Sequence, residues 1–221
     1  TDGNGISIDT TPVGTDAWQP SPTVLQLGGG PIPGAQVVLH GAAGWIVEND
    51  RVVIAGARLV NGGWQPWTPP CQSTGGPATL AAPSATTLVA LCDEGLFGGN
   101  NLGEYLNRST DGGTTFAQLG NTLPYSDMQS LTAAPGSQTI VASAYGTTPE
   151  LVASFNDGAT WETVYQPLAG GSGFTDLGFT TAAQGVAVEV ANGPLGTLLM
   201  THDGGHTWTP VTFGSGASPS Q

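Results

Sequence analysis

The sequence predicts an all-β fold built from repeated units, and two observations support this. The chain has 35 glycines and 17 prolines among 221 residues, and both residue types break helices, so a helical bundle is excluded. The second observation is a recurring motif: Ser or Thr, then Asp or Asn two residues later, Gly after two more, and Thr followed by Trp or Phe. It occupies residues 109–116, 154–161 and 201–208.

The aromatic residues of this motif extend into a ladder along the whole chain. Phe116, Trp161 and Trp208 are 45 and 47 residues apart, and steps of 49 residues back from Phe116 reach Trp67 and Trp18. Near Trp67 the motif survives only as Asn-Gly-Gly at positions 61–63, with one extra residue before the aromatic. A repeat of about 47 residues therefore covers the chain.

Each unit divides into four short strands of β-branched and apolar residues, bounded by Gly, Pro, Asn or Ser. In the last unit we predict strands at 176–181, 185–191, 196–202 and 207–213, and in the preceding unit at 128–133, 139–144, 150–155 and 160–165. Four antiparallel strands at this spacing are typical of a β-propeller blade.

We therefore predict a single β-propeller domain over residues 1–213, with about five blades. Four units are complete, at 28–70, 71–120, 121–168 and 169–213, and a partial unit lies at 6–27. The partial unit could complete a fifth blade or pair with the last unit to close the ring. The polar tail at 214–221 is predicted to be disordered.

The three motifs have the composition of hairpin turns between the third and fourth strands. The Asp or Asn side chain can accept backbone hydrogen bonds, Gly permits positive φ, and the aromatic residue anchors the returning strand. The motifs resemble Asp boxes, or BNR repeats, of sialidases, sortilin-type receptors, xyloglucanases and photosystem II assembly factors, and residues 196–208 are especially similar to bacterial assembly-factor-like proteins. This resemblance implies structural roles at the outer rim for Ser109, Asp111, Gly113, Phe116, Ser154, Asn156, Gly158, Trp161, Thr201, Asp203, Gly205 and Trp208.

Composition also restricts the partners and cofactors. The formal net charge is −13, with three Lys and Arg residues in total, so the chain repels nucleic acids and anionic lipids. We find no run of about 18 apolar residues that would predict a membrane span. No P-loop or dinucleotide fingerprint is present, so we expect no cofactor. Each motif offers at most one carboxylate, whereas a calcium site needs several oxygen ligands, so we expect no metal.

Two cysteines, Cys71 and Cys92, are the right number for one disulfide and too few for a zinc site. Two buried free thiols are the alternative. A disulfide would indicate an oxidising compartment, and the low charge with abundant Thr, Ser, Gly and Ala is typical of secreted proteins of high-GC bacteria. We therefore expect a secreted or extracytoplasmic bacterial protein, in mature form after loss of a signal peptide or lipid anchor.

The candidate site is the funnel face of the predicted propeller. Asp127 and Asp176 are 49 residues apart and precede the innermost strands of adjacent units, with Tyr125 and Phe174 beside them and Gln36 at the corresponding position of the first complete unit. Exposed aromatics beside carboxylates suit a sugar or a basic peptide loop. Turn formation by the two Asp residues and packing of the two aromatics between blades are the alternatives.

These residues support two functional hypotheses. The first is a non-enzymatic propeller that binds a protein partner or a glycan through its funnel, and the second is a glycoside hydrolase that uses Asp127 and Asp176. The hydrolase needs carboxylates closer than about 10 Å. A sialidase would need a triad of arginines, but Arg51 and Arg58 share one unit and Arg108 adjoins a rim motif. His202 and His206 lie on either side of a turn. They could bind a metal as a pair, or they could be solvated turn residues. The oligomeric state is left open.

Overall fold

The fold is all-β in a computed structural model that describes residues 5–26, 34–49, 51–72, 75–93, 96–97, 100–101, 103–120, 123, 128–145, 148–167, 171–191 and 196–212. Within these ranges the regular structure consists of strands, and no helix occurs. Accordingly, the described part of the chain contains no helix able to cross a membrane.

The strands follow one another along the chain in hairpin-connected groups. Their bounds are β1 Gly5–Thr10, β2 Gln19–Gln26, β3 Gly34–His40, β4 Ala43–Asn49, β5 Val53–Val60, β6 Gly63–Pro66, β7 Ala78–Ala81, β8 Leu88–Asp93, β9 Leu96–Phe97, β10 Asn100–Asn101, β11 Glu104–Ser109, β12 Ala117–Leu119, β13 Met128–Ala133, β14 Ile140–Ala144, β15 Glu150–Ser154, β16 Glu162–Tyr165, β17 Gly171–Phe179, β18 Gly185–Ala191, β19 Thr197–Thr201 and β20 Thr209–Pro210.

Four antiparallel sheets of four strands form the blades, and this arrangement confirms the predicted β-propeller. Blade 1 has the strand order β3-β4-β5-β6, blade 2 β7-β8-β11-β12, blade 3 β13-β14-β15-β16 and blade 4 β17-β18-β19-β20. In blade 2 the small β9-β10 hairpin is inserted between the second and third strands. The innermost strands β3, β7, β13 and β17 contact one another in that order around the axis.

The second strands are apolar on both faces because each middle blade is packed between two neighbours. In β14 every residue from Ile140 to Ala144 is buried. Alternate side chains of this strand enter different cores: Ala142 packs against blade 2, and Val141 packs against blade 4. Continuous apolar runs therefore replace the polar-apolar alternation of a sheet that has one face in water.

The N-terminal partial unit is a two-stranded sheet that packs on blade 1. Strands β1 and β2 pair with each other, and Ile8 is buried against Ile46, Ala57 and Trp64. The described strands of blade 4 do not pair with this hairpin, so ring closure by that pairing is not formed. Trp18, the first residue of the aromatic ladder, is exposed, and its indole donates to Asp16 (2.8 Å).

A disulfide joins Cys71 to Cys92, as predicted, with the two Cα atoms 5.3 Å apart. Cys71 follows the last strand of blade 1, and Cys92 lies on the second strand of blade 2. The bridge therefore links one blade to the next. Asn107 of β11 donates a hydrogen bond to Cys92 Sγ (3.0 Å).

The same place between blades 3 and 4 carries a different cross-link. Tyr165 lies four residues after Trp161, as Cys71 lies four after Trp67, and the Tyr165 hydroxyl donates to Glu189 (2.9 Å). Glu189 and Cys92 also occupy equivalent positions. Cys92 lies four residues after Leu88, which pairs with Ser109 at the end of β11. Glu189 lies four residues after Gly185, which pairs with Thr201 at the end of β19. Two of the three junctions between consecutive blades thus use this pair of positions for a cross-link, whereas the corresponding residues between blades 2 and 3 are Gly120 and Ala144.

Candidate functional site

The three motif turns share one hydrogen-bonding scheme at the outer rim. In the first turn the Ser109 hydroxyl donates to Asp111 Oδ1 (2.7 Å) and accepts from the Gly113 amide (2.8 Å). Asp111 also accepts from the Thr115 amide (2.9 Å) and hydroxyl (2.7 Å). The turns at 154–160 and 201–207 repeat the scheme, with Asn156 and Asp203 in the place of Asp111. The one difference is that Asn156 Nδ2 donates to the Thr160 hydroxyl (2.8 Å), whereas the carboxylates accept from the corresponding Thr.

Each turn also contacts the blade before it. Trp67 of blade 1 donates to the Gly113 carbonyl (2.7 Å), and Arg108 of blade 2 forms an ion pair with Asp157 (2.9 Å). In the last turn the ring of His206 stacks on Phe155, with 3.7 Å between ring centroids. The turns therefore hold consecutive blades together at the rim, and their polar groups are engaged within the protein.

The two histidines of the last turn differ in their surroundings. His202 is exposed, and His206 stacks on Phe155 as stated above. No group of three or more His, Cys, Asp or Glu side chains that could hold a metal ion occurs in the described ranges.

Acid is expected to weaken these turns. Hydrogen bonds from Thr207 lower the pKa of Asp203 from 3.8 to about 2, and bonds from Thr115 and Ser109 lower that of Asp111 as well. When the pKa of a carboxyl is lower in the folded state, its contribution to stability is complete above the pKa of the unfolded state. This contribution is lost as the pH falls through the pKa of the folded state. We expect Tm, followed by circular dichroism, to fall between about pH 4 and pH 2, and Asp203→Asn to reduce this fall.

Asn is a suitable replacement because the middle turn already has Asn156 at the corresponding position, with its Oδ1 accepting from the Thr160 amide (2.9 Å). An equal fall in Tm for the wild type and Asp203→Asn between pH 4 and pH 2 would contradict the prediction.

The funnel lies at the axis, where the innermost strands of all four blades line a channel of about 280 Å³. At one end it meets a mouth of about 330 Å³. Gln36, Leu131 and Leu177 line both cavities, so the mouth and the channel are adjacent. The other residues of the mouth are Asn49, Ala78, Thr79, Gln129, Ser130 and Asp176.

Gln36 lies in the mouth, but its amide is used to hold two blades together. It donates to the Leu80 carbonyl (3.0 Å) and accepts from the Leu80 amide (2.7 Å). Asn49 makes the same pair of bonds to Ala78 (2.8 and 3.0 Å), and His40 bonds to the Ala82 carbonyl (3.2 Å). Three side chains of blade 1 thus form hydrogen bonds with the backbone groups along the inner edge of β7.

Neither Asn49 nor His40 was predicted from the sequence to have this role. The only signal was a polar residue at the end of an apolar strand. Such a residue is equally consistent with an ordinary turn.

Asp176 lies in the mouth and is exposed, but it is inside a strand rather than before one. Strand β17 begins at Gly171, five residues earlier than predicted, and its pairing with β18 is irregular between Thr175 and Gly178. Asp176 sits in this irregularity with φ of 50°, and its carboxylate accepts from the Thr175 hydroxyl (2.8 Å). The bulge turns the carboxylate toward the mouth.

The other predicted site residues do not add a described group to the mouth. Phe174 is 4% exposed and packs edge-on against Tyr165, with 5.9 Å between ring centroids. It therefore belongs to the core between blades 3 and 4, the alternative left open by the sequence. Tyr125 and Asp127 lie outside the described residues, as does the tail at 214–221.

The described mouth therefore offers one exposed carboxylate together with uncharged hydrogen-bonding groups. Asp176 and Gln129 are exposed, and Thr79 and Ser130 are half-buried. Two of the arginines are engaged at the rim: Arg58 donates to the Gly112 carbonyl (3.1 Å), and Arg108 pairs with Asp157. The net charge of −13 favours the approach of cationic ligands.

Searches against protein-family models and curated proteins find no match to this chain. Solved structures do match in fold. A Niastella koreensis GH74 enzyme superposes with a TM-score of 0.54 and 20% identity over 80% of this chain and 29% of its own. The Hadza microbial sialidase Hz136 superposes with a TM-score of 0.52 and 15% identity, over 86% of this chain and 50% of its own. YCF48 bound to D1 peptide superposes with a TM-score of 0.50 and 16% identity, over 89% of this chain and 71% of its own.

These neighbours establish the propeller fold and include both glycoside hydrolases and a peptide-bound protein. The chain spans less than one third of the two GH74 enzymes that it matches, 29% and 30% of their length.

Proposed function

We propose that this protein is a non-enzymatic, extracytoplasmic β-propeller that binds a protein partner or a glycan at the mouth of its central funnel. The observation that carries this proposal is the mouth itself. It is a cavity of about 330 Å³ in which Asp176 and Gln129 are exposed, while the amides of Gln36 and Asn49 are committed to the β7 backbone. A single carboxylate among amides and hydroxyls suits recognition by hydrogen bonds and charge.

The comparisons support the proposal at the level of the fold. YCF48, whose structure contains the D1 peptide, has a similar propeller. We also infer that the three rim turns are Asp boxes, because their sequence pattern and their shared hydrogen bonds coincide. In this proposal the turns hold the blades together, and the funnel carries the function.

A ligand screen by thermal unfolding tests the proposal. The full chain is heated with oligosaccharides or with short basic and acidic peptides, and a ligand at a hundredfold excess over its Kd is expected to stabilise the protein by about 2.7 kcal/mol. The variant Asp176→Asn/Gln129→Ala should lose the shift. Glu162→Gln, a change at an exposed carboxylate of β16, should keep it.

The proposal fails if none of these ligands shifts the unfolding temperature. It also fails if the shift survives in the mouth variant, since binding would then take place elsewhere on the molecule.

A glycoside hydrolase is the second candidate, and the GH74 and sialidase neighbours favour it through their fold. Its reaction needs a second carboxylate about 5 to 10 Å from Asp176. Asp127 is the candidate from the sequence, since it directly precedes the innermost strand of blade 3. Release of reducing sugar by the wild type, abolished in both Asp127→Asn and Asp176→Asn, would favour hydrolysis over simple binding.

The extracytoplasmic location rests on the disulfide. A bridge between Cys71 and Cys92 persists in oxidising compartments, and cytosolic proteins seldom retain one. Mass spectrometry of the unreduced protein from its native source should find no free thiol. Two free thiols would remove this part of the proposal.

A further inference from the structure

We propose that the funnel takes an extended peptide in which a Lys or Arg lies next to aliphatic residues. The peptide would lie along β3, with its aliphatic side chains in the channel and its cation at Asp176. This inference rests on the proposed function and decides between its two ligand classes. Three features of the funnel support it: exposed aliphatic side chains, a strand edge that no described strand pairs with, and the carboxylate at the mouth.

The aliphatic side chains are Val37 and Leu39 of β3, which are 55% and 64% exposed. Side chains alternate along a strand, and their neighbours Gln36, Val38 and His40 face blade 2. Val37 and Leu39 therefore lie on the opposite face of blade 1, the face that also carries Ile46 and Trp64. They border the channel, which Leu177 and Phe179 of blade 4 also line. Large aliphatic groups exposed together beside a cavity are typical of binding surfaces.

The second feature is the inner edge of β3. Among the described strands β3 pairs only with β4, so its other edge borders the channel. The inner edge of β7 differs, because Gln36, Asn49 and His40 occupy its amides and carbonyls. An extended peptide can therefore add to β3, in the manner of strand addition, but is blocked from β7.

The third feature is charge. Asp176 stands at the mouth, and Leu131 and Leu177 line both the mouth and the channel. One ligand can therefore touch Asp176 and the aliphatic wall together. A cation beside aliphatic groups complements this arrangement, and strand addition requires a peptide backbone, which a glycan lacks. The net charge of −13 favours the approach of such a peptide.

Binding of synthetic peptides by isothermal titration calorimetry tests the inference. The probe is Ac-Thr-Leu-Lys-Leu-Thr-NH2, and the comparison peptides replace Lys by Glu, replace both Leu by Ser, or carry N-methyl groups on alternate amides. We expect each change to weaken binding by about threefold or more, because each removes one of the three features. A panel of neutral oligosaccharides is titrated in parallel.

Variants of the protein assign the contacts. We expect Asp176→Asn to weaken binding of the Lys peptide about threefold to fivefold, with less effect on the Glu peptide. Asn is chosen because it tolerates the positive φ of this position. Leu39→Ser should weaken the Leu-containing peptide about tenfold. The matched controls are Glu162→Gln and Val52→Ser, which change an exposed carboxylate and an exposed apolar side chain elsewhere.

The possible outcomes separate this inference from the proposed function. Oligosaccharide binding that Asp176→Asn abolishes, without peptide binding, would overturn the inference and retain the proposed function. Absence of binding by every peptide and sugar would overturn both. Self-association in analytical ultracentrifugation that Leu39→Ser abolishes would show that a second copy covers this surface, and it would also overturn the inference.

Discussion

Replacing both cysteines by alanine is expected to lower the free energy of unfolding by about 3 kcal/mol. The bridge closes a loop with a sequence separation of 21 residues and links the exit of blade 1 to the second strand of blade 2. Removing it restores the freedom of this loop in the unfolded chain. It also removes the covalent contact between the two blades, so blade 1 should become the first part of the protein to open.

Denaturant unfolding of the wild type, the reduced wild type and Cys71→Ala/Cys92→Ala measures this effect. The reduced protein and the variant should lose similar stability. A second variant, Cys71→Gly/Cys92→Ala, separates the bridge from the backbone, because Cys71 has φ of 75° and glycine adopts that conformation without strain. It should be more stable than the double alanine variant. A loss of stability below about 1 kcal/mol in the reduced wild type and in both double variants would contradict the prediction.

Replacing Glu48 by Met is expected to stabilise the protein at pH 7, by about 1 to 3 kcal/mol. Glu48 is fully buried on β4, and neither of its carboxylate oxygens has a hydrogen-bond partner among the described residues. By register it is equivalent to Cys92 and Glu189, both of which are linked to the preceding blade. The unpartnered carboxyl is therefore the first-blade member of a position that makes a cross-link in blades 2 and 4.

The sign of the pH dependence follows from burial, which raises the pKa of Glu48 above its usual value of 4.5. Below that value the carboxyl is protonated in both states and the effect of ionisation disappears. As pH rises above it, the unfolded chain ionises first and the native state loses stability until the folded pKa is passed. The advantage of Glu48→Met should therefore grow from acidic to neutral pH in denaturant titrations.

Glu189→Gln is the matched control at the equivalent position. Glu189 accepts from Tyr165, and burial together with this carboxylate raises the pKa of Tyr165 to about 12. Loss of a partnered carboxylate should destabilise the protein at pH 7, opposite to the change at Glu48. If Glu48→Met is destabilising across the whole pH range, the carboxyl has a favourable partner and the prediction is wrong.

The sequence by itself determined the repeat, and through it the fold. Local features are sufficient for this because Gly at positive φ and an adjacent Asp or Asn define each rim turn within eight residues. The strands Met128–Ala133 and Gly185–Ala191 begin and end as predicted. The pairing of Cys71 with Cys92 was also predictable, since two cysteines allow one bridge.

Only the tertiary structure decided the composition of the funnel. Gln36 was expected to face a ligand, but its amide pairs with Leu80, 44 residues away, and Phe174 packs against a residue of the preceding blade. The position of Asp176 depends on a bulge in the pairing of β17 with β18. Contacts between blades join residues from different repeats, and the period of a sequence does not specify which side chains meet across them. The period fixes the repeating blade, whereas long-range packing between blades selects the groups that remain free to bind.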